Sequence, residues 1–427
     1  MDTGDTAWVL VASALVMFMT PGLALFYGGM VRAKNVLGTL MQSFFALGLV
    51  SVLWVLIGYT LAFGPSKGGI IGGLDYIGFA HVGAAPNELF APTIPHSAFA
   101  IFQMMFAIIT PALITGAFAE RMKFWAYVWF TALWLLLVYA PVAHWVFDPD
   151  GWLHKLGALD FAGGTVVHIN AGIAALAAVL VIGPRRGFKR EAFVPHNLTL
   201  TILGTGILWF GWFGFNAGSA LGANGLAASA FLATNLGAAA GALGWALMDS
   251  VKESKPTTLG VASGAVAGLV AITPAAGYVG PMGAIAIGFT GGIVCAYAVR
   301  LKFKFSYDDA LDVVGVHLVG GIVGSLLTGI FADLAFNEFG ADGLFAGGGV
   351  ALLGKQFAAV GVTLVFSFVM SYILLKLVDA TVGLRVKEDE EVAGLDLSQH
   401  SEAGYAFAEG GGLSVSASSV AQGGEAR

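Results

Sequence analysis

The chain has 427 residues, of which 57% are hydrophobic and 11% charged, with a mean hydropathy of +0.83. These values exclude a soluble domain of this length and define a polytopic membrane protein, where 61 glycines suit helices packed closely through small residues. The formal charge of −6 sums two aqueous faces that never meet, the single Cys295 rules out an internal disulfide, and the acidic start MDTGDTAWVL lacks the basic region of an ordinary signal peptide.

Apolar runs of roughly 20 residues, enough to cross a hydrocarbon core of ~30 Å, fall at about 7–28, 37–63, 97–117, 125–147, 162–183, 198–220, 228–249, 258–277, 281–300, 309–331 and 351–378. They predict an all-α membrane protein of eleven transmembrane helices. With the first run entering from outside, the interior connections and C-terminal segment hold 17 Lys and Arg, among them Arg32, Lys34, Arg121, Arg185, Arg186 and Arg300. The exterior holds only Lys67, Lys155 and Lys355. The positive-inside rule therefore predicts an outside N-terminus and a cytoplasmic C-terminus.

Two of the runs carry a histidine in the middle of an uncharged stretch: DFAGGTVVHINAGIAAL from Asp160 and DALDVVGVHLVGGIVGSLL from Asp309. Asp160 stands eight residues before His168, Asp309 eight before His317, and both copies read H-x-x-[AG]-G-I. Ionisable groups inside apolar spans are costly and are functional candidates by default. A lone buried histidine is more often a packing residue, but a matched pair reverses those odds. Each lies roughly 12 Å along its helix at a rise of 1.5 Å per residue. Since the fifth helix runs inward and the tenth outward, both reach the midplane, as two five-helix halves of inverted topology would place them. An imidazole can stay neutral in a dry site and still exchange a proton, and two facing rings can share one N–H. The other histidines (His81, His96, His144, His154, His196 and His400) fall in or beside connections and are expected to be solvated.

The chain resembles the ammonium transporter family (Amt/Mep/Rh) from about residue 7 to 405. DFAGGTVVHINAG is similar to that family's fifth-helix signature, WFGWFGFNAGSA to its sixth, ALDVVGVHLVGGIVG to its tenth and YGGMVRAKNVL to its first cytoplasmic turn. The resemblance implies a homotrimer of eleven-helix protomers, embedded in the lipid of the bacterial cytoplasmic membrane, each with its own narrow pore. It implies that His168 and His317 are the pore histidines and that Phe106 and Phe215 form a phenylalanine gate. Phe102, Phe106, Phe147, Trp212 and Ser219 would make the external cation site. Asp160 would hold its mouth together, with Asp309 and Asp312 as further supporting acids. One departure is visible: where bacterial members usually carry a tryptophan after the fourth helix, HWVFDPDGWL offers Phe147, with Trp145 and Trp152 nearby. A phenyl face attracts a cation less strongly than indole.

The chemistry follows without the resemblance. Ammonium is a small hydrated cation, and moving an unpaired charge into hydrocarbon costs many kcal/mol. An intact cation should stall at Phe106 and Phe215; loss of a proton removes most of the barrier, and neutral ammonia can pass the histidines while the proton either returns outside or travels separately through the imidazoles or a water wire. Potassium, with no proton to lose, is excluded.

Residues 1–379 are read as the transmembrane domain, with half-repeats at 7–183 and 198–331 and the eleventh helix at 351–378. Residues 380–427 are read as a cytoplasmic segment and tail. VGLRVKEDEEVAGLDLSQHSEAGY, from Val382 to Tyr405, resembles the family's regulatory segment, which implies a PII-type (GlnK-like) partner. His400–Ser401–Glu402 stands where the family usually has His-Gly-Glu. The acidic Lys387–Glu391 stretch should be drawn to the basic inner connections, helped by packing of Leu384, Val386 and Leu395. Residues 410–427, rich in Gly, Ser and Ala, read as a flexible tail. Two other readings use the same scaffold: an ammonium sensor, expected to need a signalling domain for which about 45 residues leave no room, and a channel for a neutral gas such as carbon dioxide. No metal-ligand cluster or nucleophile–base pair is evident among the spans, so neither a cofactor nor an enzyme activity is expected, and nothing points to nucleic acid.

Overall fold

In the computed structural model, which describes residues 1–405, the apolar runs form helices because lipid leaves backbone N–H and C=O groups no partner but each other. They are α1 (Thr3–Met30), α2 (Ala33–Phe63), α3 (His96–Phe118), α4 (Phe124–Trp134, continued through Leu135–Tyr139 to Ala140–Phe147) and α5 (Gly164–Ile182). After the basic connection come α6 (Leu198–Ala217), α7 (Gly225–Glu253), α8 (Thr258–Ile272), α9 (Pro281–Ala298), α10 (Val314–Phe331) and α11 (Ala351–Thr381). Among the described residues ten helical segments are long and apolar enough to span a membrane, and the shorter α8 occupies the eighth predicted run. α8 opens where the Thr257 hydroxyl accepts the Gly260 N–H at 2.8 Å and stops just before Pro274, which has no N–H to continue it. Residues 410–427, read as a flexible tail, lie outside the described residues.

Glycines set how closely the helices approach. α8 and α9 press on α7 so tightly that a Cβ on Gly268, Gly288 or Gly292 would collide with the carbonyl oxygens of Gly237 or Gly241. Such backbone-to-backbone contact is what drives association where surrounding lipid is as apolar as the side chains.

The basic connections meet on one face, around a buried network. Glu120 accepts the Arg32 backbone N–H at 2.9 Å, the Arg32 guanidinium at 3.0–3.2 Å, the Asn35 amide at 2.9 Å and Arg185 at 2.9 Å. Arg185 in turn holds Asp308 through its backbone N–H and two guanidinium bonds of 2.7–2.9 Å. Arg121, fully buried, donates to the carbonyls of Gly183, Ala119 and Asp308. Burial opposes the charge on Glu120, but the guanidinium groups of Arg185 and Arg32 outweigh it and hold the carboxyl at about 2.

Two short helices, α12 (Glu388–Ala393) and α13 (Leu395–His400), dock on this face. Glu391 accepts the Arg186 backbone N–H at 2.8 Å and the Arg385 guanidinium at 2.7 Å, while Arg186 also pairs with Glu388. Lys34 donates to the carbonyls of Glu391 and Val392, Gly38 N–H donates to Asp396 at 2.8 Å, and Asn35 accepts Leu395 N–H at 2.8 Å. Leu384, Val386 and Leu395 are buried. Backbone and packing contacts thus supplement exposed ion pairs worth only ~0–1 kcal/mol each. Ser401, in the place of the expected glycine, ends α13 with φ +56, a left-handed conformation that costs a non-glycine residue roughly 1–2 kcal/mol.

Glu120→Gln leaves Arg32 and Arg185 without their shared counter-charge and should cost about 3–5 kcal/mol, read as a large fall in the thermal midpoint of detergent-solubilised protein. Because the Glu120 pKa is depressed, its contribution is fully present above the ordinary carboxylate range and is lost as pH falls toward 2. The gap between wild type and the glutamine variant should therefore narrow in acid.

Candidate functional site

The two histidines are delivered by matching local structures. Gly163, at φ +119, folds the chain back so that the Asp160 carboxylate accepts the N–H groups of Gly163, Gly164 and Thr165 at 2.6–2.8 Å, together with the Thr165 hydroxyl. Asp309 does the same at the start of α10, accepting Val313 N–H at 3.1 Å and Val314 N–H at 2.7 Å. Each capped start leads into a π-helical turn, Gly164–Ile169 in α5 and Val314–Leu318 in α10, and each turn contains the histidine. Wide turns of this kind shift the register of the side chains beyond them and recur at functional sites.

The glycine four residues after each histidine completes the match. A Cβ on Gly172 would collide with the backbone nitrogen of Leu318, and one on Gly321 would stand 2.9 Å from Cγ1 of Ile169 and 3.1 Å from Cβ of His168. Each glycine admits the residue next to the opposite histidine, so α5 and α10 cross at van der Waals contact where the rings meet. His317 Nδ1 lies 3.3 Å from His168 Nδ1, with ring centroids 5.4 Å apart and planes inclined by 22°. Only one nitrogen of that contact can carry the proton, so one ring donates and the other accepts. His168 Nε2 is buried and without a protein partner.

The cavity against these rings holds about 10 Å³ and is lined by Leu23, Phe26, Leu113, Leu208 and Val266 among others. That is about the space of one water-sized sphere. Above it the rings form a column: Phe215 lies 5.9 Å from His168, Phe106 4.3 Å from Phe215, and Phe102 4.9 Å from Phe106. Phe106 and Phe215 are essentially inaccessible. Beyond them opens a vestibule of about 350 Å³ lined by Phe102, Phe106, Phe147, Asp160 and Ser219, with Gln103. Ser219 donates its hydroxyl to the Phe215 carbonyl at 2.8 Å, leaving the oxygen lone pairs available.

Several expectations need correcting. Trp212 does not line the vestibule: its indole N–H bonds to Thr273 at 2.9 Å, and the ring stacks 5.4 Å from His168, on the inner side of the phenylalanines. Trp145 is committed to the Ile70 carbonyl at 2.7 Å and to the faces of Trp152 and Phe366, whereas Phe147 lines the vestibule. Asp312 pairs with Lys302 and lines neither the vestibule nor the cavity against the rings. His96 and His144 are buried rather than solvated, because Tyr59 (2.6 Å) and Ser66 (2.8 Å) with the Ala62 carbonyl (2.8 Å) supply the partners that water would have given.

Sequence reasoning missed Gln356, whose side chain accepts Leu159 N–H at 2.7 Å and donates to the carbonyls of Leu159 and Ser325, tying α11 to both half-repeats beside Asp160. A glutamine inside an apolar span was the available signal. It also missed Glu120 and Asp308, since nothing in a linear sequence pairs them with Arg185. Among the described residues no group of three His, Cys, Asp or Glu is placed to hold a metal ion.

The model of the Ammonium Transporter Family matches residues 7–405. The chain belongs to that family. An ammonium transporter of Bacillus subtilis is 53% identical over 406 residues, covering 95% of this chain and 99% of that protein. The crystal structure of Saccharomyces cerevisiae Mep2 superposes with a TM-score of 0.85 at 38% identity, covering 91% of this chain and 89% of that one. A structure described as a sensor Amt protein superposes equally well, at 31% identity over 93% of this chain and 98% of its own. The family member described here is therefore a multi-pass membrane transporter rather than an enzyme, with the helical architecture of the solved ammonium transporters.

Gly172→Val tests the crossing. Its side chain meets the Leu318 backbone rather than a flexible group, so α5 and α10 must separate. A loss of about 1–3 kcal/mol is expected from overpacking, read as a lower thermal midpoint, together with strongly reduced ammonium flux in liposomes.

Proposed function

We propose that this protein carries ammonium across the membrane by recruiting the cation in the outer vestibule, where it gives up a proton; neutral ammonia then passes His168 and His317, and the proton is relayed separately along the two imidazoles, so that net charge crosses. The observation that carries this reading is the imidazole pair, 3.3 Å apart, facing an apolar cavity of about 10 Å³ behind the contacting rings of Phe106 and Phe215, whose centroids are 4.3 Å apart. Phe102, Phe106 and Phe147 offer ring faces to a cation, and Ser219 offers a hydroxyl oxygen. Trp212 acts deeper, as a wall of the histidine cavity. Asp160 contributes by fixing the mouth, since its oxygens are occupied by the first turn of α5.

Selectivity follows from what the narrow cavity cannot supply. An ion entering it would exchange a full hydration shell for two neutral rings and hydrocarbon, a loss of many kcal/mol. Ammonia carries no net charge, and its N–H groups and lone pair suit a donor–acceptor pair of imidazoles. Potassium has no neutral form and stays outside.

We further propose that three protomers assemble as a homotrimer and that the segment from Val382 is a regulatory element on which a PII-type protein acts. Its docking through Asn35, Gly38 and Arg186 supports such a role, because it joins the α1–α2 and α5–α6 connections at once. Overall likeness to a solved structure described as a sensor Amt protein is what supports the sensor reading.

The deciding measurement is the current on a solid-supported membrane after ammonium and then potassium jumps. A response to ammonium with none to potassium is expected. Replacing His168 and His317 together with apolar residues should abolish ammonium flux or turn it into unselective leakage; unchanged flux with unchanged selectivity would refute the relay. Ending the chain after Val382 should leave insertion intact while lowering transport and removing the response to a PII-type protein in liposome flux assays.

A further inference from the structure

We propose that Lys355, near the start of α11, holds a fixed ammonium group in the outer vestibule and thereby lowers its affinity for the transported cation. This rests on reading the vestibule as the entry site. Lys355 lines the same cavity as Phe102, Phe106, Phe147 and Ser219. Among the described lining residues it is the only lysine or arginine, and Asp160 is the only carboxylate. Asp160 is committed to the N–H groups of Gly163, Gly164 and Thr165. Among the described residues no carboxylate lies within ion-pair distance of Lys355, whereas Lys155 on the same face is held by Asp150 at 2.8 Å.

The position of Lys355 is imposed by its neighbours. The next residue, Gln356, ties α11 to Leu159 through two hydrogen bonds. A Cβ on Gly157 would stand 2.9 Å from Lys355 Nζ, so the ammonium group lies against the backbone at Gly157, whose φ of +82 and missing side chain leave the room. Lys355 is half-buried there.

The chemistry of the group is what matters. A lysine side chain ends in an alkylammonium ion with the charge and N–H donors of the substrate. Ring faces and a hydroxyl oxygen that receive one such ion attract the other, and two cations in one vestibule repel each other. Coulomb repulsion over several ångströms, in a dielectric between that of water and that of a protein rim, corresponds to roughly a two- to tenfold weakening of binding. Salt screens a repulsion over this range, so the effect should shrink as ionic strength rises.

The test uses full-length protein in liposomes, with ammonium-evoked currents measured across concentration for wild type, Lys355→Met, Lys355→Gln, Lys355→Arg and Ala351→Glu. The two uncharged variants should lower KM about two- to tenfold, more at low salt than at high, and Lys355→Arg should stay near wild type. Ala351→Glu places a carboxylate four residues before Lys355 on the same helix face and should shift KM in the same direction as the uncharged variants. A KM in the methionine and glutamine variants equal to or above wild type overturns the proposal, as does an arginine variant that shifts as far as methionine. If the uncharged variants do not insert, an unchanged KM in Ala351→Glu overturns it instead. A wild type silent to ammonium fails the entry-site reading and this proposal with it; a responsive wild type with unshifted variants fails this proposal alone.

Discussion

Two imidazole rings within hydrogen-bonding distance in hydrocarbon constrain everything built around them. Bringing His168 and His317 to 3.3 Å requires two helices to cross at backbone contact, which requires glycine at positions 172 and 321. It also requires both helices to begin at a defined height, which the carboxylates of Asp160 and Asp309 ensure by taking up the first N–H groups. The π-helical turns between cap and glycine adjust the register so that the rings face each other. An acid cap, a wide turn and a glycine recur in the two halves, and each solves the same geometrical problem approached from the opposite side of the membrane.

The inner face is organised by charge rather than by packing of apolar surface. Glu120 and Asp308 each meet Arg185, and the resulting network ties the connections after α1, α3, α5 and α9 into one unit. Buried ions of this kind are costly to desolvate and hold only when every partner is present, so the network acts as an alignment device. Asn35 extends it to the C-terminal segment by donating to Glu120 while accepting from Leu395. Asp308 is followed directly by Asp309, the cap of α10, so this face and the histidine helix share a rigid corner.

The outer face, as proposed, works by partial desolvation. On the proposed route, aromatic rings and the Ser219 hydroxyl compensate a cation in part for lost water, and the column Phe102, Phe106, Phe215 ends that compensation abruptly. Under the proposed mechanism, the contrast between a vestibule of about 350 Å³ and a cavity of about 10 Å³ separates a region where a hydrated ion fits from one where only a small neutral molecule does.

Composition and run length determined the membrane class and the spans, and the placement of Lys and Arg gave their expected orientation, because the bilayer imposes length, hydrophobicity and charge asymmetry on each segment separately. The repeated Asp, His and Gly spacing pointed to the histidine pair for a related reason: an inverted repeat writes the same local solution twice, and periodicity survives in a linear string. The partners of Glu120, the clamp by Gln356, the burial of His96 and His144 and the inward position of Trp212 depend on contacts between residues tens to hundreds of positions apart. Trp212 shows the limit well. Its motif identified it as a site residue, but whether an indole four positions after Leu208 faces the vestibule or the histidines depends on how α6 is rotated against α3, α5 and α8, and only packing in three dimensions decides that rotation.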